Sequence, residues 1–188
     1  MLAGTTHRRS YTVGDARKPD PPTSDWAALG QTTQEVMEQR AIGFNCLDYQ
    51  RKGEDALYRH FLPDKSFLDA NCPDGIRLEV MFPSCWDGKN VDSPDHKSHI
   101  AYPNLLQNGN CPKEFPVRLP TLFYEVIWST KSELFEGRSG EFVLSNGDPT
   151  GKLTLPLTMR LAELSFTRFW LPCRLHVWLG RRLPSGRG

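Results

Sequence analysis

The 188 residues, 38% hydrophobic and 24% charged, have the make-up of one ordinary globular domain, and 23 basic against 22 acidic residues leave a net charge of +1. Lys and Arg form no cluster along one face, so a phosphate-tracking surface has little support and no nucleic-acid partner is expected. No apolar run approaches the ~20 residues that a membrane-crossing helix needs, so no membrane span is expected either.

In chain order, the opening MLAGTTHRRSYTVGD lacks the apolar core of a secretory leader, which as written would keep this polypeptide in the cytosol. Residues 14–33, with Gly14, Pro19, Pro21, Pro22 and Gly30 among Ser, Thr and Asp, read as a long surface loop with little regular structure. The polar run Gln34 to Arg40 predicts two helical turns, and Ala41 to Leu47 a strand. Asp74-Gly75 supplies a turn into the clearest strand, Ile76 to Phe82. There Ile76, Leu78, Val80 and Phe82 alternate with Arg77, Glu79 and Met81 at period two. Leu122 to Trp128 is apolar on both faces apart from Glu125, and so reads as the central strand of a sandwich. A further strand, Glu141 to Leu144, runs toward the turn signal Asn146-Gly147. With 15 prolines and 15 glycines between them, these segments predict a mostly β fold of sandwich-like antiparallel sheets joined by long ordered loops.

From Lys152 onward the pattern changes. The tail has no acidic residue except Glu163, no clean period and a basic end, and its plain reading is a helix around Leu157 to Phe166. Cys46, Cys72, Cys85 and Cys111 fall at irregular spacing without a CxxC pair, which predicts a disulfide set rather than a zinc site. Four cysteines allow three pairings, and the sequence does not choose among them. Cys173 is left over.

The window richest in chemistry is residues 84–103, SCWDGKNVDSPDHKSHIAYP, a polar loop following directly on a core strand. His96 and His99 stand three apart with Asp92 and Asp95 nearby, as two metal ligands and a carboxylate would, yet a hydrogen-bonded structural network fits the same spacing and no metal or other cofactor is assigned. Glycoside hydrolysis needs two carboxylates about 5 to 9.5 Å apart, which Asp87, Asp92, Asp95 and Glu125 are candidates to supply, with His96 and His99 as acid–base partners. Glu125 has an alternative role in an ion pair with Arg77 or Arg118 across the sheet. A non-catalytic carbohydrate-binding site asks only for aromatic platforms and polar groups, here Trp86 and Tyr102 with Lys89 and Asn90. Trp128, at the end of a buried strand, reads as core.

The runs GIRLEVMFPSCWDGKNVDSPDHKSHIAYP, NGNCP, RLPTLFYEVIW and FVLSNGDPTG closely resemble the fungal family of unknown function DUF1996. So do the upstream pieces RAIGFNCLDY and RHFLPDKSFLDANCPDG, while MLAGTTHRR is similar to the family's strand ending in an R-M-x-A-G pattern. The resemblance spans residues 1–151 and implies a secreted protein, often found beside carbohydrate-binding WSC modules, with no established activity to carry over. Four of the five cysteines fall in family-like motifs, which supports an even disulfide count. The family's signal peptide and S-H-x-H-x-F-x-G segment are not in this chain, so residues 1–151 are expected to be a partial, incomplete domain. Residues 152–188 do not resemble the family's continuation after DPTG. Lys152 and Leu153 can be encoded so as to complete GTAAGT and Arg168 so as to supply a closing AG, so the tail is expected to be a translated intron followed by frame-shifted coding sequence. The resulting expectation is an extracellular β-rich domain that binds or acts on cell-wall or other polysaccharide, with a non-catalytic, disulfide-stapled surface protein as the alternative.

Overall fold

The structure, a computed structural model, describes residues 11–15, 18–131 and 133–144, together with the backbone of 159–162. Its first regular element is one turn of 3-10 helix at Thr23–Asp25. The segment expected to be only a surface loop is pinned by Trp26, which is 4% exposed and sits in a core with Val36, Met37, Leu57 and Tyr102.

Helix α1 (Gln34–Arg40) starts where the Thr33 hydroxyl accepts the Val36 N–H, and it presents Val36 and Met37 to that core. Strand β1 (Ile42–Leu47) follows at once. Helix α2 (Lys65–Asn71), which the sequence reading did not anticipate, is capped by the Asp64 carboxylate accepting from Phe67 N–H at 2.8 Å. Strand β2 (Gly75–Met81) opens on Gly75 at φ +99°, where any Cβ would collide with the Trp128 carbonyl. Three two-residue strands complete the middle of the chain: β3 (Cys85–Trp86), β4 (Ile100–Ala101) and β5 (Val117–Arg118). Strands β6 (Phe123–Trp128), β7 (Glu141–Leu144) and β8 (Met159–Ala162) follow.

The fold is mostly β and every pairing is antiparallel: β1-β2-β6, β4-β3-β5 and β7-β8. In the main sheet, register places Phe44, Leu78 and Val126 in one row and Cys46, Ile76 and Trp128 in the next. This face packs on Leu62, Leu68 and Cys72 and on Phe142 and Leu144 of β7. Trp128 is thus a partly buried core residue, as expected. The opposite face carries Gly43, Glu79 and Glu125 in one row and Asn45, Arg77 and Ile127 in the next.

The expected place of β6 in the sheet is overturned. Among the described residues β6 is an edge strand, and β2 is the central one. A run apolar on both faces suggested double burial, but Tyr124 is 41% and Ile127 56% exposed. Two disulfides, Cys46–Cys72 and Cys85–Cys111, resolve the three open pairings. The first ties β1 to the end of α2, and the second encloses the polar window. The turn at Asn146-Gly147, the strand in MLAGTTHRR and Cys173 lie outside the described residues. So does most of the tail, of which only 159–162 are described, in strand geometry rather than the helix its composition suggested. Among the described residues no helix is long and apolar enough to cross a membrane.

Candidate functional site

Strand β3 lies between β4 and β5, with Cys85 opposite Ala101 and Arg118, and Trp86 opposite Ile100 and Val117. Residues 87–99 therefore form a long loop leaving β3 and returning as β4, closed at its neck by Asp87 N–H donating to the His99 carbonyl at 3.1 Å. Inside it the carboxylates turn back on their own backbone. Asp87 accepts from the N–H groups of Lys89 (2.9 Å) and Asn90 (3.0 Å) and from the Asn90 side-chain amide (2.7 Å). These donors, the Lys89 N–H foremost, hold its carboxyl below the usual carboxylate range. Gly88, at φ +76°, permits the turn, and Trp86 closes it by donating its indole N–H to the Asn90 carbonyl at 2.6 Å.

Asp95 is more heavily engaged. It accepts from Ser98 N–H (2.9 Å), Ser93 Oγ (2.7 Å), Lys97 N–H (3.0 Å) and Ser98 Oγ (2.9 Å), so its carboxyl is held far below the ordinary value. Because the single Ser93 proton goes to Asp95, the contact of 2.8 Å between Ser93 Oγ and His99 Nδ1 requires the imidazole to donate there. The result is a chain from His99 through Ser93 to Asp95. Asp92 and His96 form a separate pair, with Nδ1 at 2.8 and 2.9 Å from the two carboxylate oxygens. That hydrogen bond is the first cause of the lowered Asp92 value, the Ser93 N–H the next.

The structure thus brings together Asp87, Asp92, Asp95, His96 and His99 in one loop but divides them by exposure. Asp92, Asp95 and His96 lie in solvent, whereas His99 is 5% exposed and faces inward. His96 adopts φ +54° and the two imidazoles take different partners, so they do not share a helical turn. Among the described residues no group of three or more His, Cys, Asp or Glu side chains is close enough to hold a metal. Glu125 belongs to the other sheet and pairs with Arg77 at 3.1 Å, the alternative role that its setting suggested. Arg118, the other suggested partner, instead donates to the carbonyls of Gly109 and Gln107.

Of the four carbohydrate-binding candidates, Tyr102 is a core residue. It is 3% exposed, its hydroxyl donates to the Met81 carbonyl at 2.9 Å, and its backbone exchanges two hydrogen bonds with the Gln34 amide. Trp86 is half-buried on β3, Lys89 and Asn90 are exposed, and Val117, paired with Trp86 across the strands, is 38% exposed.

Two polar clusters escaped the sequence reading. Glu79 has a side chain wholly excluded from solvent, yet accepts from Leu57 N–H at 2.6 Å and pairs with Arg77 at 2.7 Å. Burial nevertheless pushes its carboxyl up to about 7. The available signal was the Arg77–Glu79 spacing on one strand face, opposite Gly43, whose missing side chain leaves room for the carboxylate. The second cluster joins Tyr11, Asp20, Arg40 and His60, which are too scattered in sequence for any local pattern to connect.

A β-rich, disulfide-bonded domain carrying a polar hairpin loop is the class that fold and site define. The chain belongs to the family described as domain of unknown function (DUF1996), whose family model matches residues 1–154. No curated protein and no solved structure matches it.

Proposed function

We propose that this domain works outside the cell and binds polysaccharide at the Trp86 end of the 84–103 loop. The carrying observation is the arrangement around Trp86: a half-buried indole whose N–H is fixed on the Asn90 carbonyl, beside exposed Val117, with Lys89 and Asn90 at the rim. An aromatic face held still in this way offers a stacking surface for the apolar face of a sugar ring, and the flanking amide and ammonium reach its hydroxyls. Two disulfides favour an oxidising, extracellular setting.

Binding is favoured over hydrolysis because Asp87 spends both oxygens, and Asp95 its Oδ1, on loop donors, which fixes both groups as ionised acceptors rather than proton donors. The exposed Asp92–His96 pair keeps an acid–base reading alive for that one position. A second reading, a surface protein whose loop is only a structural network, draws on the same loop-bonded carboxylates. The reading assigns no role to residues 152–188.

Co-sedimentation with insoluble chitin and β-glucan, run beside a reducing-sugar assay, tests the proposal. The expected outcome is retention without sugar release, and about tenfold weaker retention for Trp86→Ala. Retention equal in wild type and variant would remove Trp86 as the platform. Absence of retention on these glycans would favour the structural reading, and sugar release lost in His96→Ala would favour hydrolysis.

A further inference from the structure

Outside the polar loop, a group of buried titratable side chains sits where residues 18–31 cross α1 and the start of β1. Arg40 and His60 have side chains only 1% exposed, and Asp20 is 21% exposed. Asp20 lies 2.9 Å from Arg40 Nε through one oxygen and 3.2 Å from His60 Nε2 through the other. The other ring nitrogen, Nδ1, lies 2.7 Å from the Ile42 carbonyl. Tyr11 stacks its ring on His60 at 5.4 Å and 6° and directs its hydroxyl to Asp20.

The chemistry of these contacts fixes the proton count. A carbonyl oxygen only accepts, so Nδ1 of His60 carries a proton. Burial works against the charge on Asp20, yet its carboxyl is held below the usual value, and the Arg40 guanidinium, a cation across the ordinary pH range, stands 2.9 Å from it. An ionised carboxylate also only accepts, so Nε2 carries a proton too. Among the described residues the charged or titratable groups around the ring are Tyr11 from the N-terminal segment, Asp20 from the crossing segment and Arg40 from α1. Arg59, next to His60, is engaged with Glu54 at 2.7 Å.

We propose that Asp20, His60 and Arg40 form a pH-sensitive latch, in which the doubly protonated imidazole of His60 holds residues 18–31 against α1 and β1. Loss of one ring proton turns a lone pair toward the Asp20 carboxylate, replacing a buried attraction with a repulsion. The strap then loses its grip on Asp20. It carries Trp26, whose ring lies 3.9 Å under the Arg40 guanidinium, and Gln31, whose side chain and carbonyl both accept from Arg40. The same α1 holds the polar loop through Gln34 on Tyr102 and Glu38 on Lys97 at 3.1 Å, so release of the strap loosens the support of that loop.

The test uses the full chain between about pH 5 and pH 8. Nitrogen NMR of His60 is expected to show both ring nitrogens protonated at the acid end. Corrected for intrinsic exchange, protection of the Trp26 indole N–H is expected to fall about tenfold as that ring titrates, with protection in α2 unchanged. His60→Gln, which cannot gain a proton, is expected to lose the pH dependence. A singly protonated ring at the acid end, or constant Trp26 protection while His60 titrates, would overturn the proposal. If His60→Gln does not fold, the coincidence or divergence of the two wild-type titrations decides alone.

Discussion

At the scale of single residues, the molecule places its most costly charge at Glu79. The carboxyl is sealed from solvent, and the two bonds that compensate it, from Leu57 N–H and from Arg77, do not fully offset burial. Its value rises from 4.5 to about 7, so the protonated form is favoured in the folded state. For a raised value the contribution to stability is complete below 4.5 and is lost as pH climbs through about 7. The expected cost over that window is at most about 3 kcal/mol. Thermal melts across it should show wild type losing stability and Glu79→Gln losing much less, because the amide keeps the shape without the charge. Parallel slopes for the two proteins would show that another group carries the dependence. Glu79 was hidden in the sequence for a physical reason: period-two alternation marks Arg77, Glu79 and Met81 as one face, but not whether that face meets water. Here it meets Leu57, itself held at φ +60°.

At the scale of elements, legibility followed length and local capping. Helix α1 and strand β7 fall where the sequence placed them, β1 and β6 each begin one residue later than expected, and β2 is displaced by one residue at both ends. Helix α2 was missed because only Lys65 and Leu68 of its seven residues are buried, too few to print a helical period. Strands β3, β4 and β5 have two residues each and cannot print one either. The candidate loop itself was legible as a dense polar window, yet its division into an outward Asp92–His96 pair and an inward His99 depends on turns that composition does not encode. It is enclosed by Cys85–Cys111. Both disulfides join residues 26 apart, so chain entropy assigns each about the same value, roughly 3.5 kcal/mol. Any difference between them then reports the native surroundings. Replacing Cys46 and Cys72 with alanine is expected to cost more in urea unfolding than replacing Cys85 and Cys111, because Cys72 packs within the main core. Equal losses would mean that loop closure alone sets their contribution.

At the scale of the whole molecule, the sequence announced a mostly β, disulfide-bonded domain, but not which strand would lie at the margin. Period and hydropathy state which faces are apolar, whereas sheet order depends on pairings between distant segments. Placing β6 at the edge leaves its outer backbone without a neighbouring strand among the described residues and exposes Leu122 (48%), Tyr124 (41%) and Ile127 (56%) along it. A flat edge with apolar side chains on both sides is a template for pairing with another chain. Of these residues Ile127 is the most exposed and stands opposite Arg77, so a charged replacement would disturb the ion pairs of Arg77 with Glu79 and Glu125. Ile127→Thr avoids that, since threonine keeps the branched shape that suits a strand while removing apolar surface. Light scattering at increasing protein concentration is therefore expected to show association of the wild-type chain that Ile127→Thr diminishes. The variant's unfolding free energy should stay within about 0.5 kcal/mol of wild type, as for other exposed substitutions. Association unchanged by the substitution, with stability preserved, would show that the β6 edge is not the surface through which copies meet.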